Sequence, residues 1–215
     1  MKKFAIVLSG CGVYDGAEIH ESVTAMLSVC RKGHRYQVFA PDISQYHVIN
    51  HLTGEVMPQE RNVMVEAARI ARGNVQALSS FDASQYDALL FAGGFGVAKN
   101  LSDFAFKDSD YIVKEQVVDA IKSMHSAGKP IGAMCIAPVL IADVINVVEL
   151  TLGSVSVASK AAEKHGAKHF VTTHGEVCVD KKNKVATTPS YMLEATIAQV
   201  AEGAENIVDE LLKLM

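Results

Sequence analysis

Cys135 is the residue whose sequence context most clearly points to chemistry. A Gly-Lys-Pro turn and a short apolar run, residues 128–134, lead directly into it, and residues 136–142 follow with the pattern of a buried helix. A strand that turns sharply into a helix, with the nucleophile on the turn, is a nucleophile elbow. Such a turn needs small residues two positions either side of the nucleophile, and Ala133 and Ala137 stand there. A thiolate at a helix start is also favoured by the free N–H groups.

A structural role for Cys135 is the alternative interpretation. Free cysteines are among the most buried residue types, and they usually act as small apolar side chains. The local sequence leaves both interpretations open.

Glu18 is the candidate acid–base partner. It stands at the predicted start of the first helix, after a glycine-rich loop and three residues beyond Asp15. The D-x-x-E spacing is typical of a capping box, so a structural role is again the alternative. In the functional interpretation, the carboxylate projects into the cleft at the strand ends, where open α/β sheets bind ligands.

A second glycine-rich segment follows a predicted buried strand at Gly93, Gly94 and Gly96. Glycines at a strand end let the backbone approach a ligand closely and present N–H groups to it, although an ordinary tight turn has the same composition. Neither glycine-rich segment matches a nucleotide-binding motif. The loop at residues 10–16 lacks the final glycine of G-x-G-x-x-G, and the segment after residue 93 lacks the Gly-Lys-Ser/Thr of a P-loop. We therefore expect no cofactor.

Residues 41–60 form an excursion whose turn signals suggest a small hairpin, and Asn50 and His51 are candidates for lining the cleft. His47 and His51 are four residues apart, but the glutamate of an H-E-x-x-H motif is missing. The segment is also not convincingly helical. We expect no metal here.

The elements that position these residues alternate between strands and helices. Continuous apolar runs at 4–9 and 86–92, and a strand at 36–40, predict a parallel sheet covered by helices on both faces. Helical spacing of apolar residues predicts a helix over 111–127, and residues 170–171 are predicted to form a short strand. Alternating residues at 177–188 predict a C-terminal hairpin, and a final helix follows Pro189. Residues 1–215 are expected to form a single α/β domain.

Composition excludes several classes of function. The net charge is −4 without a basic stripe, which argues against nucleic-acid binding. The four cysteines are widely separated, which argues against a disulfide framework or a structural zinc site. The first strand begins near residue 4 and no apolar run reaches membrane-spanning length, so we expect no membrane association and a cytoplasmic location.

Three stretches together are similar to one known arrangement: Gly16-Ala17-Glu18, Gly93-Gly94-Phe95-Gly96 and Cys135-Ile136-Ala137-Pro138. They resemble the class I glutamine amidotransferase-like superfamily, in the branch of the Parkinsonism-associated deglycase and the PfpI-like proteins. Segments 9–16, 49–55, 134–138 and 187–192 most resemble its enhancing-lycopene-biosynthesis (ElbB) group, which is glyoxalase-like and linked by phenotype to isoprenoid biosynthesis. The resemblance implies a flavodoxin-like three-layer sandwich with Cys135 on the elbow and Glu18 beside its sulfur.

The activity that this resemblance implies is cofactor-free conversion of glyoxal to glycolate by a glyoxalase III-like lyase of the hydro-lyase class, also interpreted as protein deglycation. Cys135 would add to a small aldehyde, and Glu18 would shuttle a proton through an enediol. Backbone N–H groups near Gly94 and Ile136 would hold the oxyanion. The family also implies a homodimer.

Two alternatives remain open. A redox or stress-responsive binding protein would use an oxidisable Cys135 with little turnover. An amide hydrolase or amidotransferase is disfavoured, because PfpI-like peptidases carry a histidine directly after the nucleophile, where this chain has Ile136. His20 and His174 are the histidines that could still approach, although surface roles suit them better.

Overall fold

The computed structural model describes all 215 residues. The strands are β1 Lys3–Val7, β2 Arg35–Ala40, β3 Val75–Ala77, β4 Ala88–Phe91, β5 Ile131–Met134, β6 Glu149–Leu150, β7 Lys168–His169, β8 Cys178–Asp180 and β9 Val185–Thr188. The helices are α1 Ile19–Arg31, α2 Val63–Ile70, α3 Phe104–Lys107, α4 Glu115–Ser126, α5 Pro138–Val144, α6 Val157–Lys164 and α7 Ile197–Leu214. A π-helical turn covers Val97–Leu101.

Seven strands form one sheet in the order β3-β2-β1-β4-β5-β9-β8. All neighbours are parallel except β8 and β9, which form the predicted hairpin. The short strands β6 and β7 pair in parallel as a separate two-stranded sheet. β7 lies at 168–169, two residues before the strand expected at Phe170, because the pairing with Glu149 and Leu150 is made there.

Helices cover both faces of the sheet, so the predicted three-layer α/β sandwich is confirmed. One core combines the helices α4, α5 and α6 with strand residues such as Val7, Leu89 and Phe91. The other combines α1, α2 and α7 with the alternate residues Ile6 and Leu90. This alternation follows from the two-residue period of a strand, and it explains why the central strands are apolar throughout.

Two predicted elements are shorter than expected. The helix expected at 111–127 begins at Glu115, because the preceding residues are bound elsewhere: the Tyr111 hydroxyl donates to the Val139 carbonyl at 2.7 Å, and Val113 N–H donates to Asp143. The hairpin suggested within 41–60 is reduced to one antiparallel bridge between Ile49 and Val56. None of the helices combines the length and the apolar character that spanning a membrane requires.

Candidate active site

Cys135 lies on the turn between β5 and α5 with a strained backbone. Its φ is +58°, in the left-handed region that residues other than glycine adopt rarely. Its N–H donates to the carbonyl of Thr188, at the end of β9, at 3.0 Å. Pro138 begins α5 directly after this turn. The arrangement is a nucleophile elbow, and it places a buried cysteine at the carboxyl end of the parallel strands.

Glu21 is the carboxyl group that faces the Cys135 sulfur. It is fully buried, and the N–H of Gly93 donates to its Oε2 at 2.9 Å. A Cβ at Gly93 would lie 2.5 Å from Glu21 Oε2 and 3.0 Å from Cys135 Sγ. The absence of a side chain at position 93 therefore allows the acid and the thiol to meet. The N–H of Tyr191 approaches the other oxygen, Oε1, at 3.4 Å.

The prediction that Glu18 lies beside the sulfur is wrong. Helix α1 begins at Ile19, so Glu18 is its extended N-cap, and its Oε2 accepts the N–H of Glu21 at 2.7 Å. Glu18 is buried, but its carboxylate is directed to the helix N–H groups. Glu21, in the first turn, projects towards Gly93 instead. Glu18 caps the helix as the N-cap residue itself. The D-x-x-E capping box with Asp15 is not formed, because the Asp15 carboxylate accepts the N–H of Ile49.

Burial and the nearby Glu18 charge raise the pKa of Glu21 to about 8, although hydrogen bonds with Cys135, Gly93 and Tyr191 oppose this shift. Burial and the charge of Glu21 likewise raise the pKa of Cys135. The two groups titrate as a coupled pair, and at neutral pH the carboxyl of Glu21 is mostly protonated.

Two backbone N–H groups also interact with the Cys135 sulfur. Those of Gly94 and Ile136 hydrogen-bond to Cys135 and favour its charged form. Gly94 has a φ of +98°, which glycine adopts without strain and which turns the chain after β4. These are the two N–H groups that the sequence predicts as an oxyanion site, and that role stays a prediction.

A cavity of about 360 Å³ opens at Cys135. Its wall is apolar apart from the sulfur and the Tyr191 side chain. It is lined by Val13, Gly94, Phe95, Ala98, Phe104, Ala105, Cys135, Ile136, Tyr191 and Met192. Tyr191 was not among the predicted site residues, although it lies in segment 187–192, which resembles the ElbB group.

Asn50 and His51 do not line this cavity, contrary to expectation. Asn50 Oδ1 accepts the N–H of Leu52 within its own turn. His51 stacks on Tyr14 with ring centroids 4.9 Å apart, and its Nε2 accepts the N–H of Tyr14 at 3.2 Å. Both residues therefore support the outer loops. No group of three or more His, Cys, Asp or Glu side chains is arranged to hold a metal ion.

No histidine forms a dyad with Cys135. His174 Nε2 bonds to the Glu194 carbonyl at 2.8 Å. His20 Nδ1 lies 2.8 Å from the Tyr191 hydroxyl, so it contacts the cavity wall through that tyrosine. The partners of the sulfur are a carboxyl group and backbone N–H groups. The site therefore lacks the imidazole base that activates the nucleophile in Cys-His hydrolases.

The parallel sandwich and the elbow cysteine define a class I glutamine amidotransferase-like fold, and the comparisons agree. No family model matches the chain. The chain is 45% identical, over 99% of its length, to the human "glutamine amidotransferase-like class 1 domain-containing protein 3, mitochondrial", of which it covers 83%. It is also 45% identical to the rat "ES1 protein homolog, mitochondrial", with 99% of the chain and 84% of that protein covered. The chain belongs to this glutamine amidotransferase-like class 1 family.

Solved structures extend the comparison. An isoprenoid biosynthesis protein with an amidotransferase-like domain from Ehrlichia chaffeensis superposes with a TM-score of 0.91 at 30% identity, over 99% of this chain and all of that one. DJ-1beta of Drosophila melanogaster superposes with a TM-score of 0.58 at 17% identity, over 99% of this chain and 97% of that one, and shares the fold alone.

The cytoplasmic location expected from the sequence is contradicted. The human, rat and zebrafish relatives are all named as mitochondrial proteins.

Proposed function

We propose that the protein is a cofactor-independent glyoxalase that converts glyoxal to glycolate, with Cys135 as nucleophile and Glu21 as proton shuttle. The observation that carries the proposal is the buried Glu21 carboxyl facing the sulfur of the strained elbow cysteine. Membership of the amidotransferase-like family, whose fold is shared with DJ-1beta, supports thiol chemistry at this position.

In the first step, the carboxylate form of Glu21 accepts the thiol proton, and the sulfur forms a bond to one aldehyde carbon. The carbonyl π bond breaks, and its electron pair becomes an alkoxide that the N–H groups of Gly94 and Ile136 stabilise. The proton on Glu21 then passes to this oxygen. The product is a hemithioacetal, and Glu21 is again a carboxylate.

In the second step, Glu21 removes the C–H proton next to sulfur and passes it to the oxygen of the neighbouring aldehyde carbon, which gives an enediol. Glu21 then takes the hydroxyl proton from the sulfur-bearing carbon and delivers it to the neighbouring carbon, while the carbon–carbon double bond becomes a single bond and a carbonyl forms next to sulfur. The result is a thioester of glycolate. Water then attacks the thioester carbonyl, the carbon–sulfur bond breaks, and glycolate and the free thiol are released. One carbon is oxidised while the other is reduced, so no external redox partner is needed.

Variants of the sulfur and the acid test this proposal. Cys135→Ala is expected to abolish glycolate formation from glyoxal, followed by proton NMR. Glu21→Gln keeps the size and the hydrogen bonding but cannot accept a proton, and it is expected to lose a factor of about 10²–10⁴. Cys30→Ala is the control, because Cys30 is exposed. Retained turnover in Cys135→Ala, or wild-type turnover in Glu21→Gln, would contradict the mechanism.

A second candidate is a redox-responsive protein in which two equivalents of peroxide convert the Cys135 thiol to a sulfinate and release water. The observation in its favour is the raised pKa of Glu21, about 8, because a protonated carboxyl can donate a hydrogen bond to a sulfinate oxygen. Intact-mass measurement after peroxide treatment would detect selective gain of two oxygen atoms. A kcat/KM for glyoxal far below about 10⁴ M⁻¹s⁻¹ would favour this role over the first.

A further inference from the structure

The proposed reaction develops negative charge on two oxygens in turn, one on each carbon of the substrate. The oxygen on the sulfur-bearing carbon has the predicted N–H donors of Gly94 and Ile136. The oxygen of the neighbouring carbon needs a donor of its own, because an uncompensated charge in an apolar cavity is costly. Apart from the Cys135 thiol, Tyr191 carries the only side chain among the lining residues that can donate a hydrogen bond.

The segment that carries Tyr191 is held against both members of the Cys135–Glu21 pair. The carbonyl of Thr188 accepts the Cys135 N–H at 3.0 Å, and the Tyr191 N–H approaches Glu21 Oε1 at 3.4 Å. Between them, Ser190 is buried and has a φ of +43°, in the left-handed region that is strained for residues other than glycine. This geometry places Tyr191 next to the groups that would move the protons.

His20 holds the hydroxyl of Tyr191. His20 Nδ1 lies 2.8 Å from this hydroxyl, and Glu18 Oε1 lies 3.9 Å from the same nitrogen. The carboxylate favours the tautomer that carries its proton on Nδ1, and this N–H then donates to the phenol oxygen. In this arrangement the proton of the phenol itself is free to donate into the cavity.

The surroundings of Tyr191 favour the protonated phenol. Burial and the charges of Glu18 and Glu21 raise the pKa of Tyr191 above its ordinary value. A neutral phenol is a hydrogen-bond donor, whereas a phenolate could only accept.

We propose that Tyr191 is a catalytic residue whose hydroxyl donates to the oxygen on the carbon next to the sulfur-bearing one, and that His20 is its positioning residue. This inference rests on the proposed glyoxalase function. As Glu21 breaks the C–H bond, its electron pair forms the carbon–carbon double bond, and the π pair of the neighbouring carbonyl moves onto oxygen. The hydrogen bond from Tyr191 stabilises that charge until Glu21 delivers the proton, so Tyr191 keeps its own proton throughout.

Removing only the hydroxyl tests the catalytic role. Tyr191→Phe keeps the ring and the backbone N–H, and it is expected to lower kcat for glyoxal by a factor of about 10²–10³ with little change in KM. With deuterated glyoxal, the isotope effect on kcat is expected to lie well above one in this variant, because the C–H step has become the slow one. Tyr46→Phe, at an exposed tyrosine packed on Phe106, is the control.

A second measurement on Tyr191→Phe separates the chemistry from the integrity of the site. Alkylation of Cys135 by iodoacetamide, followed by peptide mass spectrometry, is expected to proceed at the wild-type rate. That result would show that the elbow is intact and that the lost kcat arises after the thiol has been presented.

Two variants of His20 separate positioning from packing. His20→Ala removes the donor to Tyr191 and is expected to lower kcat about tenfold. His20→Asn places an amide N–H near the position of Nδ1, so it is expected to restore most of the lost kcat, which a purely structural role would not explain. His174→Ala removes a histidine that bonds to the Glu194 carbonyl, and this control is expected to leave kcat unchanged.

The outcomes separate this inference from the proposed function. Wild-type kcat in Tyr191→Phe, or a slowed Tyr191→Phe with an isotope effect of one, would overturn the role of Tyr191 and leave the glyoxalase function intact. Equal losses in His20→Ala and His20→Asn would overturn the positioning role of His20. Absence of glyoxal turnover by the wild-type protein would overturn the glyoxalase function itself, and the inference with it.

Discussion

Cys135 and Glu21 form a pair whose two groups cannot easily be charged together. Both are buried, and each negative charge disfavours the other. The N–H groups of Gly93 and Tyr191 on the carboxyl, and of Gly94 and Ile136 on the sulfur, stabilise the charged forms instead. The balance between these effects leaves the pKa of Glu21 at about 8. A pKa close to the working pH is the value at which an acid–base group transfers protons most effectively.

The pH dependence of the reaction should report this acid. Since the carboxylate of Glu21 accepts the C–H proton, kcat/KM for glyoxal is expected to rise with pH, about tenfold per unit at low pH, and to level off above about 8. Glu18→Gln removes a charge that raises the pKa of Glu21, so the inflection should move to lower pH. An inflection that stays in place or moves upward in this variant would contradict the assignment; Glu60→Gln, at an exposed site, is the control.

Close packing between elements explains the glycines that follow or lie within the central strands. Gly93 leaves room for the acid and the thiol, whereas Gly132 in β5 lets α7 approach the sheet. A Cβ at Gly132 would lie 2.7 Å from Leu90 Cδ1 and 2.8 Å from Leu211 Cδ1. Asn100, on the π-helical turn, ties the loops together by donating to the carbonyls of Ser9 and Asp15.

Replacing these two glycines should separate catalysis from stability. Gly93→Ala places a methyl group against Glu21 and Cys135, so it is expected to lower kcat/KM for glyoxal by at least about a hundredfold. Gly132→Ala meets the ends of the Leu90, Leu211 and Ile207 side chains, and it is expected to lower the free energy of unfolding by about 1–3 kcal/mol with a much smaller loss of activity. Denaturant unfolding and the glycolate assay, run on both variants, check this. Equal activity losses would contradict it.

At the scale of the whole molecule, the sheet brings the site residues together, and burying an acid at its edge lowers the free energy of unfolding. The elbow, the Gly93 turn and the residues after β9 all follow the carboxyl ends of adjacent parallel strands, where such folds bind ligands. Burying Glu21 there opposes folding whenever the group is charged.

This cost predicts a pH dependence of stability. The pKa of Glu21 is about 8 in the folded chain, against 4.5 for an ordinary glutamate, so between these values the folded state retains a proton that the unfolded state has lost. Its contribution is therefore fully present at low pH and is lost as the pH rises towards 8, by at most about 1.4 kcal/mol per unit. Glu21→Gln should remove this slope in urea unfolding between pH 5 and 8. A slope equal to that of the wild type would rule out the shift.

The sequence by itself determined the parallel α/β sandwich, because apolar strands and amphipathic helices alternate along the chain. It also determined the elbow, because small residues flank Cys135 at the spacing that the turn requires. Only the tertiary structure decided that Glu21 rather than Glu18 meets the sulfur. The two glutamates are less than one helical turn apart, and the choice depends on where α1 begins and which carboxyl Gly93 admits. The apolar cavity was likewise out of reach of local patterns, since its wall combines residues from 13 to 192 that only folding brings together.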